Sequence, residues 1–130
     1  MVVADAGVWI KALIDEERGQ PLRRRLADEA VVDAPAVIDL EFLSAVRGLL
    51  VGKRVTRDRV EQAIDRFLAA PIERHAHGPL AWRIWELRNN LTAYDAAYVA
   101  LAERLGLTLL TIDRRLARAP TIRCRVEPVA

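Results

Sequence analysis

The chain is short of the side chains on which several common chemistries depend. Cys124 is its only cysteine, which excludes an internal disulfide and any multi-cysteine zinc site. It carries a single serine, Ser44, in the middle of a helical pattern and far in sequence from either histidine, so a serine nucleophile has no partner. Lysine occurs twice, as Lys11 and Lys53, and neither stands where a phospho-receiver domain needs one, near the end of its last strands. No apolar run approaches the roughly 18 to 20 residues that span a bilayer. The first residues lack the basic stretch of a secretory signal. These absences lead to the expectation of a cytoplasmic protein with no membrane segment.

What is present is an apolar, arginine-rich chain of 130 residues, 52% hydrophobic, which predicts a single domain spanning 1–130 with a proper core. Its net charge of +2 conceals a division: clustering a few carboxylates in one site leaves the remaining surface distinctly basic. Of the 20 basic residues, 18 are arginine. Arginine suits phosphate recognition, although a GC-rich coding sequence inflates it too.

The most strongly patterned stretch is LTAYDAAYVALAERLG, Leu91 to Gly106. Thr92 and Asp95 have the spacing of a capping box, and Tyr94, Ala97, Tyr98, Leu101 and Leu105 recur at helical spacing. Gly106 is placed to stop the helix. No charge falls between Asp95 and Ala102, so this is a core helix with one acid at its N-terminal end. Asp95 is either a cap or a functional acid. LTLLTID, Leu107 to Asp113, reads as a buried strand running out at a second acid, itself explicable as a turn residue.

Elsewhere, Val2 to Ala4 forms a short strand ending at Asp5, with Ala6-Gly7 turning into a helix over Val8 to Ile14. A helix from Pro21 to about Asp28 precedes a strand over Ala30 to Asp33. A long helix then runs from about Ala36 to Val51. Its Asp39 and Glu41 are roughly 200° apart around the axis and cannot serve one site. Asp39 suits the helix dipole, whereas Glu41 lies deeper and needs a partner. Thr56 caps a third long helix, Pro71 to His75 is a strand, and His77-Gly78-Pro79 turns into a helix carrying Trp82, Trp85 and Leu87. Ile122 to Val129 supplies an edge strand ended by Pro128. His75 and His77 would face one side if their segment were a strand, although such pairs are more often solvated. The tryptophans and the apolar helices from Ala36 to Leu68 are expected in the core, in part at a partner surface.

Alternating strands and helices predict an α/β fold, a central parallel sheet of about four to five strands with helices on both faces. Asp5, Glu41, Asp95 and Asp113 would meet at one end of it, where ligands bind in open α/β sheets. Carboxylates gathered without lysine repel, which should raise at least one pKa, and hard divalent cations relieve the repulsion. Oxygen-only ligands favour Mg²⁺, with Mn²⁺ as the second choice.

The segments VVADAGVWI, APAVIDLEFLSAVR, LTAYDAAYVALAERLG and LTLLTIDRRL closely resemble the PIN-domain ribonucleases and, among them, the VapC-type toxins of bacterial toxin–antitoxin pairs. The resemblance covers essentially the whole chain. It implies that Asp5, Glu41, Asp95 and Asp113 are the catalytic and metal-holding acids, with Thr111 the hydroxyl often found two places before the last acid. It also implies a Mg²⁺- or Mn²⁺-dependent endoribonuclease acting on tRNA, rRNA or mRNA, a homodimer, and inhibition by a cognate antitoxin. Arg114 and Arg115 are candidate RNA-phosphate contacts. One position departs: relatives commonly place serine or asparagine where Gly7 stands. The same residue also argues against a haloacid-dehalogenase-type phosphatase, which wants an aspartate there. The rival reading is a catalytically weak PIN-like module that binds RNA or protein.

Overall fold

The computed structural model describes residues 1–129. In chain order they form β1 (Val2–Ala4), α1 (Ala6–Ile14), α2 (Gln20–Ala27), β2 (Val32–Pro35), α3 (Ile38–Val51), α4 (Arg57–Ala69), β3 (Ile72–His75), α5 (Ala81–Glu86), α6 (Ala93–Leu105), β4 (Thr108–Thr111) and β5 (Val126–Pro128). Turns of 3₁₀ helix cover Gly78–Leu80 and Leu116–Arg118.

The five strands make one parallel sheet in the order β3-β2-β1-β4-β5. All three residues of β1 are buried, as a parallel strand covered on both faces requires. The chain builds outward from β1 through β2 to β3, then returns to pair β4 on the other side of β1. The order therefore reverses between β1 and β4, and their carboxyl ends flank the crevice where open α/β sheets bind ligands.

One face of the sheet is covered by α1 with α2, α3 and α4 packed around it. Its aromatic centre is Phe67, with the Phe42 ring stacked at 4.0 Å and the edge of Trp9 at 6.2 Å. Against the other face lies α6, in contact with β1, β2, β4 and α5. Seven consecutive residues of α6, Ala96 to Ala102, are buried, so it is the core helix its pattern predicts. The Thr92 hydroxyl accepts the Asp95 N–H at 3.2 Å to start it, and Gly106 at φ 66° stops it. A Cβ on Gly106 would meet nothing within 4 Å, so the left-handed backbone, not crowding, makes glycine the favoured residue there.

Several expectations shift. The second strand is Val32–Pro35, which places Asp33 inside it, and the last strand shortens to Val126–Pro128. Only Trp9 of the tryptophans is a core residue; Trp82 and Trp85 are 81% and 58% exposed. On α3, Ile38, Phe42 and Val46 are buried while Leu40 and Leu43 face solvent, because a fourteen-residue helix has one inner stripe.

Candidate active site

Asp5 follows β1 directly and caps α1: its Oδ1 accepts the Val8 N–H at 3.0 Å. Its backbone N–H is bonded to the Leu110 carbonyl at 3.2 Å, tying the cap to β4. The other oxygen, Oδ2, accepts the hydroxyl of the fully buried Thr111 at 2.5 Å. That hydroxyl in turn accepts the Asp113 N–H at 3.0 Å. Thr111 thus links the first acid to the backbone of the last across the β1–β4 crevice.

Glu41 lies in the first turn of α3, and the partner its burial demands is Tyr98, whose hydroxyl donates to Oε1 at 2.6 Å. Sequence reading took Tyr98 only as a core position. The available signal was that a buried tyrosine, unlike phenylalanine, has a hydroxyl to satisfy. Asp39, on the far side of the helix, pairs with both Nε and Nη2 of Arg74 and takes no part.

The electrostatics bind the acids together. Burial pushes the Asp5 carboxyl up to about 6, with further increments from the Asp95 and Glu41 charges and partial relief from Thr111 and Val8. Glu41 is raised by burial and then by Asp95, against the Tyr98 hydrogen bond. Asp95 is raised by burial and then by the Asp113 charge. The expected upward shifts are present, but desolvation leads in each, and for Asp5 and Glu41 like-charge repulsion is smaller than the opposing hydrogen bonds. Asp113 goes the other way: the Arg115 side chain bonds both of its oxygens, at 3.2 and 3.3 Å, and holds it below the usual carboxylate range.

Asp5, Glu41 and Asp95 therefore sense one another, while Asp113 joins through Asp95 and carries its own cation. The acids are gathered but not closed: among the described residues, no trio of them brings ligand atoms within 4.8 Å. Two clefts open beside them. One of about 310 Å³ is lined by Asn90, Thr92, Asp95, Asp113 and Arg115, and one of about 580 Å³ by Val37, Leu40, Glu41, Ser44 and Tyr94. Arg114, next to Asp113 in the chain, is exposed.

Gly7 has a local reason. A Cβ there would lie 3.0 Å from Cδ1 of Ile112 and 3.4 Å from Oδ1 of Asp5. The Ile112 side chain would have to shift by a few tenths of an ångström to admit a serine there. The two histidines do not act as a pair. The strand β3 ends at His75, which pairs with Asp33, and His77 lies beyond it, accepting the Val37 N–H at 3.0 Å. Cys124 is half-buried with its thiol pushed up to about 11 by burial, the reverse of an activated nucleophile.

The chain is similar to known proteins over nearly its whole length. Residues 2–122 match the PIN domain. Ribonuclease VapC12 of Mycobacterium tuberculosis is 35% identical over 130 residues, the whole of both chains. Ribonuclease VapC1 of the same organism is 35% identical over 98% of this chain and 96% of its own. Ribonuclease VapC3, also from that organism, is 40% identical over 91% and 86% respectively.

Proposed function

The chain belongs to the PIN-domain family, and from that premise we propose that it is a metal-dependent endoribonuclease, the toxin of a toxin–antitoxin pair. In this reading residues 1–130 are one cytoplasmic nuclease domain that hydrolyses phosphodiester bonds in single-stranded RNA or tRNA. The observation that carries it is the convergence of Asp5, Glu41 and Asp95, with Asp113 beside them, at the point where the strand order reverses. Three acids raised above their ordinary values, with the adjacent Arg115 paired to Asp113, are an unfavourable arrangement for a fold alone.

The donor set is all oxygen and fits Mg²⁺, or Mn²⁺, held by Asp5, Glu41, Asp95 and Asp113. When bound, such a cation supplies electrostatic stabilisation for the charge that builds on the phosphate and makes water a better nucleophile. The chain's own contribution is orientation. Thr111 fixes Asp5 and Tyr98 fixes Glu41, and clefts open beside Asp95 with Asp113 and beside Glu41. In this reading Arg114 and Arg115 hold the RNA backbone. The exposed Leu40, Leu43, Leu50 and Val51 of α3 offer apolar surface for a homodimer or a cognate antitoxin. Among the described residues no helix is long and apolar enough to cross a membrane.

Incubating the protein with a mixed tRNA and rRNA pool, with Mg²⁺ or with chelator, tests this reading. Cleavage that needs the metal and vanishes in Asp5→Asn supports it. RNA binding without cutting under any metal would leave the binding-module reading instead.

A further inference from the structure

A second cluster of ligand-type side chains lies away from the four acids. Glu73 and His75 are two residues apart on β3, so they leave the same face of the strand. The parallel register sets Glu73 directly beside Asp33 of β2. Between them Arg74 points to the opposite face, where its guanidinium covers the Phe67 ring and pairs with Asp39. The donor atoms of Asp33, Glu73 and His75 all lie within 4.8 Å of one another.

Asp33 is the unusual member. It is 1% exposed, its Oδ1 lies 2.8 Å from His75 Nε2, and its Oδ2 is buried with no hydrogen-bond partner. A buried carboxylate oxygen with nothing to accept carries its full desolvation penalty. Among the described residues no arginine or lysine pairs with Asp33 or with Glu73. An orphaned, buried oxygen on one member of a trio of potential ligands is what a bound cation would satisfy.

We propose that Asp33, Glu73 and His75 form a second metal site, separate from the four-acid site and selective for a borderline divalent cation, Zn²⁺ foremost. One imidazole nitrogen with two carboxylates is a zinc donor set, whereas the all-oxygen set elsewhere suits Mg²⁺. The exposed Glu73 and partly exposed His75 leave an entry path and a position for water as the fourth ligand. The site clamps the edge strand β3 to β2. Its reach extends further, because the His75 carbonyl accepts the Ala36 N–H at 2.8 Å and His77 accepts that of Val37. Those two residues lead into α3, which carries Glu41.

The test uses the untagged full-length chain stripped with chelator, in wild type and in an Asp5→Asn, Asp113→Asn background that weakens the other site. Zn²⁺ is titrated by calorimetry and thermal melting, and Co²⁺ serves as a visible-absorbance probe. One Zn²⁺ should bind in both proteins and raise the melting temperature of both. Glu73→Gln and His75→Gln, each in the double background, should weaken that binding at least about tenfold. Asp33 is left intact, since replacing so buried a group would probe folding as well as binding. Zn²⁺ binding that disappears in the double background, or that survives both Glu73→Gln and His75→Gln unchanged, overturns the proposal. So does the absence of any Zn²⁺ response.

Discussion

The Tyr98 hydroxyl on α6 donates to Glu41 Oε1 on α3 at 2.6 Å, joining helices on opposite sides of the sheet edge through one part-buried hydrogen bond. It opposes the burial that raises the Glu41 pKa. Tyr98→Phe keeps the ring and removes the donor, so the Glu41 carboxyl should rise further. The expected stability cost is about 1–3 kcal/mol, that of leaving a part-buried acceptor unpaired. Cleavage should fall at neutral pH, and the acid limb of the pH–rate profile should move to higher pH, since an ionised Glu41 is then reached later. A stability loss without any shift in that limb would make Tyr98 a packing residue only.

That bond also marks where sequence reading stops. The places of Asp5, Asp95 and Asp113 at strand and helix ends were legible because these are local features, and the parallel sheet followed from the alternation of elements. The Tyr98–Glu41 contact joins residues 57 apart, and nothing local announces it. Asp33 was read as the end of a strand, yet a shift of two residues along β2 places it mid-strand, beside Glu73. Exposure of Trp82 and Trp85 was equally hidden, because α5 is only six residues long and too short to display a period.

The raised Asp5 pKa makes a pH-dependent stability expectation. Its folded value of about 6 stands above the ordinary 3.8, so between those limits the folded protein binds the extra proton. In the metal-free protein the Asp5 contribution therefore falls as pH rises from about 4, and the whole penalty is present above 6. Asp113, held low by Arg115, works in the opposite sense, adding stability that is lost as pH falls. Asp5→Asn should melt higher than the parent at pH 7 and show a flatter profile between pH 4 and 7. Millimolar Mg²⁺ or Mn²⁺ should raise the parent melting temperature at pH 7, and raise that of the variant less. Identical curves with and without metal would argue against a shared site.

The neighbouring arginines separate into two tests. Arg114 is exposed and free of ion pairs among the described residues, whereas Arg115 is forked onto Asp113. Affinity for single-stranded RNA should fall steeply with salt, and Arg114→Ala should reduce the logarithmic salt slope by about 0.7. Arg115→Ala should weaken RNA binding as well, but also lower the Mg²⁺ concentration needed for half-maximal cleavage, because a cation no longer competes with the guanidinium for Asp113. If both variants bind RNA with the parent slope, the phosphate contacts lie elsewhere.

Asp95 divides the cap reading from the catalytic one. The structure gives the capping task to Thr92, whose hydroxyl accepts the Asp95 backbone N–H. The reciprocal half of a capping box, an Asp95 carboxylate accepting the Thr92 backbone N–H, is not formed among the described residues. The carboxylate lines the cleft with Asp113 and is raised by burial and by that acid's charge, with partial relief from the Thr92 side chain. Alanine is a poor probe, since it changes shape and charge together. Asp95→Asn keeps the shape, retains an oxygen acceptor and removes the charge. If the group served only the helix end, the variant would lose at most about 1 kcal/mol and cut RNA like its parent. The expected outcome is different: a protein that melts at or above the parent temperature in the absence of metal, relieved of repulsion, with cleavage reduced by orders of magnitude. Growth arrest in a bacterial host, where the parent causes it, should vanish with cleavage. A stable Asp95→Asn enzyme at full activity would remove Asp95 from the site and leave the mechanism with too few acids to stand.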